Sequence, residues 1–326
     1  SLMVIGQLKN QRGEIVMDEV VHSVQTPDQL PSADDLRKEI ETMITRIKNQ
    51  LDVPKLDEEY SGPVLLSGPV VARIFSSVLF GRGETIFANN FIPKISGYQY
   101  SNNAASMENK IGKNVLSESV TVKAKPKLRS YNGVPLLSAF DIDDEGILPP
   151  DEVTIVQNGV LKNLLNDRTL TQSNQAANGF SSGPGVIEVT TTHKDSEKQL
   201  KEKLIAAAKA EGLEYGLMVR NSPALIGIWS VYKVSVKDGS EELLRNALLQ
   251  DVNFKTFRRI LGAAGTYRAH NIGGSNYLLN GSDSNQQTSY IVPESILLET
   301  MEVKPFEMPT LKEDEYVSNP LVKQDN

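Results

Sequence analysis

The sequence predicts an α+β protein: a large, mostly antiparallel, β-rich C-terminal domain with few helices, preceded by the remnant of an α/β N-terminal domain. Three observations carry this expectation. Strand-like runs outnumber helical ones, and most links between them are too short for βαβ crossovers. Beyond residue 60, the one long amphipathic helical pattern sits mid-chain, flanked by strands.

Taken in order, residues 1–25 read as a β-hairpin, with turn-forming Asn10 to Gly13 between two runs of β-branched and apolar residues. Ser32 then reads as the N-cap of a helix whose first turn carries Asp34 and Asp35. Leu36, Ile40, Met43, Ile44, Ile47 and Leu51 recur at helical spacing and mark one buried face, ending before Pro54. An acidic link, Leu56 to Tyr60, leads to the second domain. The expected domains are therefore 1–58, 59–304 and a polar, proline-bearing tail, 305–326. Within the second, Val64 to Leu66 reads as a short strand and Ala72 to Phe80 as a helix. Val115 to Val122 opens a β-rich stretch, and Val153 to Val156 leads through a Gln157-Asn158-Gly159 turn into a strand over Val160 to Asn166. Gly185 to Thr192 is a further strand, Ser196 to Glu211 is the amphipathic helix, and Gly216 to Val219 and Gly227 to Val236 are strands. The run from Ser289 to Met301 closes the domain.

Composition narrows the function classes. The 326 residues hold ample material for a core, and 39% hydrophobic with 23% charged residues is ordinary for a globular protein. A formal charge of -7 argues against broad phosphate binding, so no nucleic-acid partner is expected. With no cysteine, thiolate chemistry and disulfides are excluded. The longest apolar run, Val64 to Phe80, is broken by Gly68, Pro69 and Arg73, so no membrane span is expected there. The chain starts Ser1-Leu2-Met3 and reads as truncated at its N-terminus.

Several stretches carry a resemblance. The segment Tyr60 to Gly83, YSGPVLLSGPVVARIFSSVLFGRG, opens the series. Phe140 to Gly146 holds an Asp-Asp-Glu-Gly turn, Ile155 to Leu165 a strand pair around Asn158-Gly159, and Asp167-Arg168 precedes Asn178-Gly179-Phe180. Ser289 to Glu299 closes the set. In this order they resemble the catalytic half of the TldD/PmbA family, metallopeptidases also known as modulators of DNA gyrase. The resemblance implies a proteolytic or peptide-maturation system, a cytoplasmic setting and a homodimer or a heterodimer with a zinc-bearing relative. Zinc-binding members carry His-Glu-x-x-x-His on the helix after the first strand. The matching positions here are Ala72, Arg73 and Ser77, and the family's cysteine ligand has no counterpart in this chain.

No zinc ligand set survives at those positions. A catalytic zinc takes three protein ligands and an open position. Ala72 offers no lone pair, Arg73 repels a dication and Ser77 is a weak neutral donor. The three histidines, His22, His193 and His270, are far apart in sequence and read as solvated or locally hydrogen-bonded. No metal and no other cofactor is expected. Asp141 to Glu152 nearly fits a calcium loop, but Glu145 is too long, Pro149-Pro150 stiffens the wrap and strands rather than helices flank it. No G-x-S-x-G elbow is present, and Gly274-Ser275 lacks its context. The glycine-rich stretch Gly179 to Gly185 lacks the Lys-Ser/Thr of a phosphate loop. It lies beside the peptide cleft of relatives by resemblance, which makes Asn178, Gly179 and Ser181 candidates for hydrogen bonds to an extended peptide. Phe254 to Ile260 reads as a solvated edge and Trp229 as core rather than as a ligand platform.

The expected role is thus a TldD/PmbA-type protein with a degenerate metal site, acting as a peptide-binding or partner subunit for a peptide or unfolded segment. An active hydrolase using another site and a non-enzymatic interaction protein are the alternatives.

Overall fold

Period-two patterning at the start of the chain becomes a hairpin that cannot bury its apolar side alone. In the computed structural model, β1 (Leu2–Lys9) and β2 (Ile15–His22) pair antiparallel, with Gly6 opposite Asp18 and Ile5 opposite Glu19. The described residues are 2–10, 15–80, 84–88, 105–168, 176–220, 228–250, 252–272 and 288–305. The expected hairpin turn past Asn10, the Gly274-Ser275 pair, the tail beyond 305 and the Trp229 side chain lie outside them. Helix α1 (Ala33–Gln50) covers the hairpin's even-numbered face. The Ser32 hydroxyl accepts the Asp35 N–H at 3.2 Å, as the expected N-cap should. Val16, Val20, Met43 and Ile47 form the buried contact. Gly6 permits it, because a Cβ there would lie 2.6 Å from the Ile47 Cδ1. Ile44, expected on the buried face, is 39% exposed, since the narrow hairpin covers only part of the helical stripe.

The remainder forms two sheets around one main core. β3 (Tyr60–Ser67) turns through Gly68, at φ 72°, into α2 (Pro69–Phe80). Short strands β4 (Glu84–Thr85) and β5 (Ala105–Ser106) pair in parallel. They are followed by β6 (Val120–Ala124), β7 (Ser130–Tyr131), β8 (Val134–Pro135), β9 (Val153–Gln157) and β10 (Val160–Leu161). Then come β11 (Val186–Thr191), α3 (Glu197–Ala210), β12 (Tyr215–Arg220), β13 (Ile228–Ser235) and β14 (Glu241–Gln250). β15 (Ile260–Ala263), β16 (Tyr267–Ile272), β17 (Thr288–Pro293) and β18 (Ser295–Pro305) complete the described elements.

One sheet runs β10-β9-β6-β11-β17-β16 and the other β14-β13-β12-β3-β18-β15. Both are predominantly antiparallel, with parallel steps at β11–β17 and β12–β3. β14 also pairs with the end of β18, so five strands of the second sheet close into a ring. The α+β class with an antiparallel bias is what the short links predicted. Both faces of β3 are buried. Val64 and Leu66 enter the main core with α2, while Leu65 meets Leu200 and Leu204 of α3 on the other side. No helix among the described residues is long and apolar enough to cross a membrane.

Several boundaries differ from the expected ones, and β3, expected over Val64 to Leu66, runs from Tyr60 to Ser67. Helix α2 starts at Pro69, three residues early, where proline's fixed φ suits the first turn. The strand expected over Val160 to Asn166 pairs only at Val160–Leu161, and Leu165 makes a lone bridge to Phe87. The closing run is two strands in two sheets. Glu294 breaks it, because its N–H bonds the Thr266 carbonyl and its carbonyl accepts the Gly68 N–H at 2.8 Å.

Candidate functional site

The polar positions of α2 look across to β16 and β17. The helix packs against both strands. Apolar Val70, Val71, Ile74, Phe75, Val78 and Leu79 fix it in the core, which leaves Arg73, Ser76 and Ser77 as its polar residues. Ala72 is fully buried and contributes only a methyl group. Ser77 is exposed to solvent. Arg73 is half-buried, and its Nη2 stands 3.8 Å from the Glu19 Oε1 of β2. That separation is an ion pair but too long for a hydrogen bond. The Arg73 Nε is buried with no hydrogen-bond partner among the described residues. Burial lowers the Arg73 pKa, and the Glu19 charge works against that shift.

The strands supply the other wall. His270 of β16 lies directly opposite Tyr290 of β17 in an antiparallel register, so both side chains leave the sheet on the same face. Tyr290 is fully buried, its hydroxyl lies by the Ser76 and Thr288 side chains, and burial pushes its phenol up. His270, expected to be solvated or locally hydrogen-bonded, lies within a strand and is largely desolvated. Its Nε2 is buried without a partner among the described residues. Burial, then the Arg268 and Arg73 charges, lower its pKa below that of a free histidine, with Glu294 opposing. Glu294 is itself held ionised by Thr266 and Arg268, which hydrogen-bond its two oxygens. Sequence reading missed His270 because a strand partner two hundred residues from the helix leaves no local spacing. The other histidines stand elsewhere: His22 bonds Glu39 at 2.5 Å, and His193 lies 4.0 Å from Asp195. Among the described residues, no group of three or more His, Cys, Asp or Glu side chains could hold a metal ion.

The second candidate region is built differently. Asp143 accepts the N–H groups of Glu145 at 3.0 Å, Ile147 at 2.8 Å and Ser181 at 3.2 Å. Burial would raise its pKa, but these bonds together bring it below the usual carboxylate range. The near-calcium loop is therefore a staple: its buried carboxylate serves backbone donors. Ser181 accepts the Glu145 N–H at 3.2 Å, and the neighbouring Ser182 accepts the Asp144 N–H at 2.8 Å. Asn178 imitates a strand partner, donating to the Leu164 carbonyl at 2.8 Å and accepting the Asn166 N–H at 2.7 Å. Gly179, at φ 84°, lets the chain pass Pro149, whose Cα would sit 2.7 Å from any Cβ. Asn178, Gly179 and Ser181 are thus brought together with the acidic turn, and the side chains of Asn178 and Ser181 are engaged inside the fold. A peptide contact through Asn178 or Ser181 has to displace these bonds.

A family model, the PmbA/TldA metallopeptidase C-terminal domain, matches residues 63–304. The chain belongs to the PmbA/TldD family. Solved structures share the fold. A candidate modulator of a DNA gyrase from Thermotoga maritima is 18% identical, with a TM-score of 0.54 over 92% of this chain and 61% of that one. A candidate modulator of DNA gyrase from Bacteroides thetaiotaomicron is 13% identical, with a TM-score of 0.55 over 93% and 59%. TldE from Thermococcus kodakarensis is 14% identical, with a TM-score of 0.49 over 89% and 59%. The chain spans about three fifths of the length of these structures. No curated protein matches it.

Proposed function

We propose that this PmbA/TldD-family chain is a subunit of a proteolytic or peptide-maturation system that holds peptides but does not hydrolyse them through zinc. Its metal site is degenerate, and its partner is a second copy or a zinc-bearing relative. One observation carries the reading. At the three positions expected to correspond to the zinc-binding helix stand a buried methyl group, a guanidinium and an exposed hydroxyl, and the guanidinium's charge acts on the largely desolvated His270. A fixed cation at Arg73 opposes a dication by Coulomb repulsion, strongly so in a partly desolvated site. The formal net charge of -7 speaks against a nucleic-acid role.

The test is metal analysis of the purified chain, combined with incubation with unfolded casein with and without a chelator. The expected outcome is sub-stoichiometric zinc and no chelator-sensitive cleavage. About one tightly held zinc per chain, or cleavage abolished by chelator, refutes the reading. Cleavage indifferent to chelator supports a hydrolase with another site.

A further inference from the structure

The α2–β16 contact presents two nitrogen groups whose hydrogen-bonding needs are unmet. The Arg73 Nε and the His270 Nε2 are both buried without partners among the described residues. Such atoms in a folded protein call for an unseen ligand or a functional reason. Glu19 approaches from β2 but stops at 3.8 Å, outside hydrogen-bond range of the fork. The guanidinium therefore has an ion-pair partner in Glu19 but no bidentate, hydrogen-bonded carboxylate, and the Glu19 Oε2 is itself buried without a hydrogen bond among the described residues.

We propose that Arg73 and His270 receive the C-terminal carboxylate of a bound peptide, and that Glu19 fronts the site until the peptide displaces it. The carboxylate takes two parallel bonds from the Arg73 fork and one from the imidazole of His270. Glu294 keeps Arg268 engaged, so that second cation is a neighbour rather than a ligand. Ser76 and Tyr290 form the floor. At this site a guanidinium, rather than a metal ion, supplies the positive charge. A guanidinium can hold a carboxylate, but it does not deliver a metal-activated water. Only the identity of the carboxylate's carrier rests on the peptide-binding reading above.

Two measurements on the whole chain separate the two claims. The first follows the three histidine ring signals by NMR during titration with acetate. The His270 signal is expected to move and its titration midpoint to rise, with His22 and His193 unmoved, and the response is expected to vanish in Arg73→Gln. An unmoved His270 overturns the site. The second measures fluorescence polarisation with a labelled apolar octapeptide as free acid, as C-terminal amide, and as an amide whose last residue is Asp. The free acid is expected to bind about tenfold tighter than either amide. Arg73→Gln is expected to erase that ratio, Arg73→Lys to recover only part of it, and Glu19→Gln to tighten the acid by removing the internal competitor. Equal binding of acid and amide overturns the carboxylate site and leaves peptide binding standing. Recovery by the Asp amide overturns the terminal assignment. Binding of neither peptide overturns the peptide-holding reading, and with it the carrier.

Discussion

Single side chains decide most of the chemistry in this molecule, and Asp143 shows how. Its carboxylate is 4% exposed and accepts three backbone N–H groups from two segments. Asp143→Ala strands those donors and is expected to lower stability by about 3 kcal/mol, measured by urea denaturation. In sequence the residue sat within a plausible calcium loop. Nothing local distinguishes a carboxylate aimed at an ion from one aimed at amides, because the deciding donor, Ser181, lies 38 residues away. His270 makes the same point through pH. Its pKa is lowered in the fold by burial and by Arg268 and Arg73, with Glu294 opposing and Tyr290 beside it. As pH falls below about 6.5, the unfolded chain takes up a proton that the folded site resists, so stability falls with acidification in that window. His270→Gln is expected to flatten the change in melting temperature between pH 7 and pH 5. An unchanged slope would mean that the imidazole is not desolvated as described. The helical setting of Ala72, Arg73 and Ser77, by contrast, was legible from sequence, because the apolar spacing around them is local.

Elements were legible where a local rule governs them. Ser32 caps α1 as expected, and Ser196 caps α3, with the Gln199 side chain accepting the Ser196 N–H in return. The Asn158-Gly159 turn joins β9 to β10 with φ values of 48° and 79°, the two-residue hairpin geometry that favours Asn-Gly. A Cβ on Gly159 would also lie 2.6 Å from the Leu116 carbonyl. Gly159→Ala is expected to cost about 2 kcal/mol in a thermal melt, more than a surface glycine such as Gly112, which has open space around it. Elements were misread where a distant partner sets the limit. β10 ends early although β9 continues back to Val153, because the N–H groups of Lys162 and Asn163 both turn to the Ile155 carbonyl, and the run past Ser289 divides because Glu294 turns its backbone to Gly68 and Thr266. The stretch before β3, read as a link, is tied down as well. Arg245 of β14 donates its N–H to the Pro54 carbonyl at 2.7 Å, and Lys304 meets Glu59 at 3.0 Å.

At the scale of the whole molecule, the closed five-strand ring depends on one strand. β18 pairs with β3 along most of its length, with β15 near its start and with β14 near its end. A chain ending at Glu299 loses the β14 contact and opens the ring. It is expected to bind a hydrophobic dye and to aggregate, whereas a chain ending at Pro305 stays monodisperse in light scattering at matched concentration. If both behave alike, ring closure is not what protects those edges. The ring also has a consequence in time. β3 is the first strand of its sheet to be made, yet its neighbours are β12 and β18, and the Ser67–Ser295 contact joins residues 228 positions apart. A strand buried on both faces must therefore wait for β12 on one edge, and its other edge stays open until β18, the last strand of the sheet, has left the ribosome. Such distant pairing makes folding slow, and it leaves the apolar run from Val64 to Phe80 as the segment a chaperone would meet first.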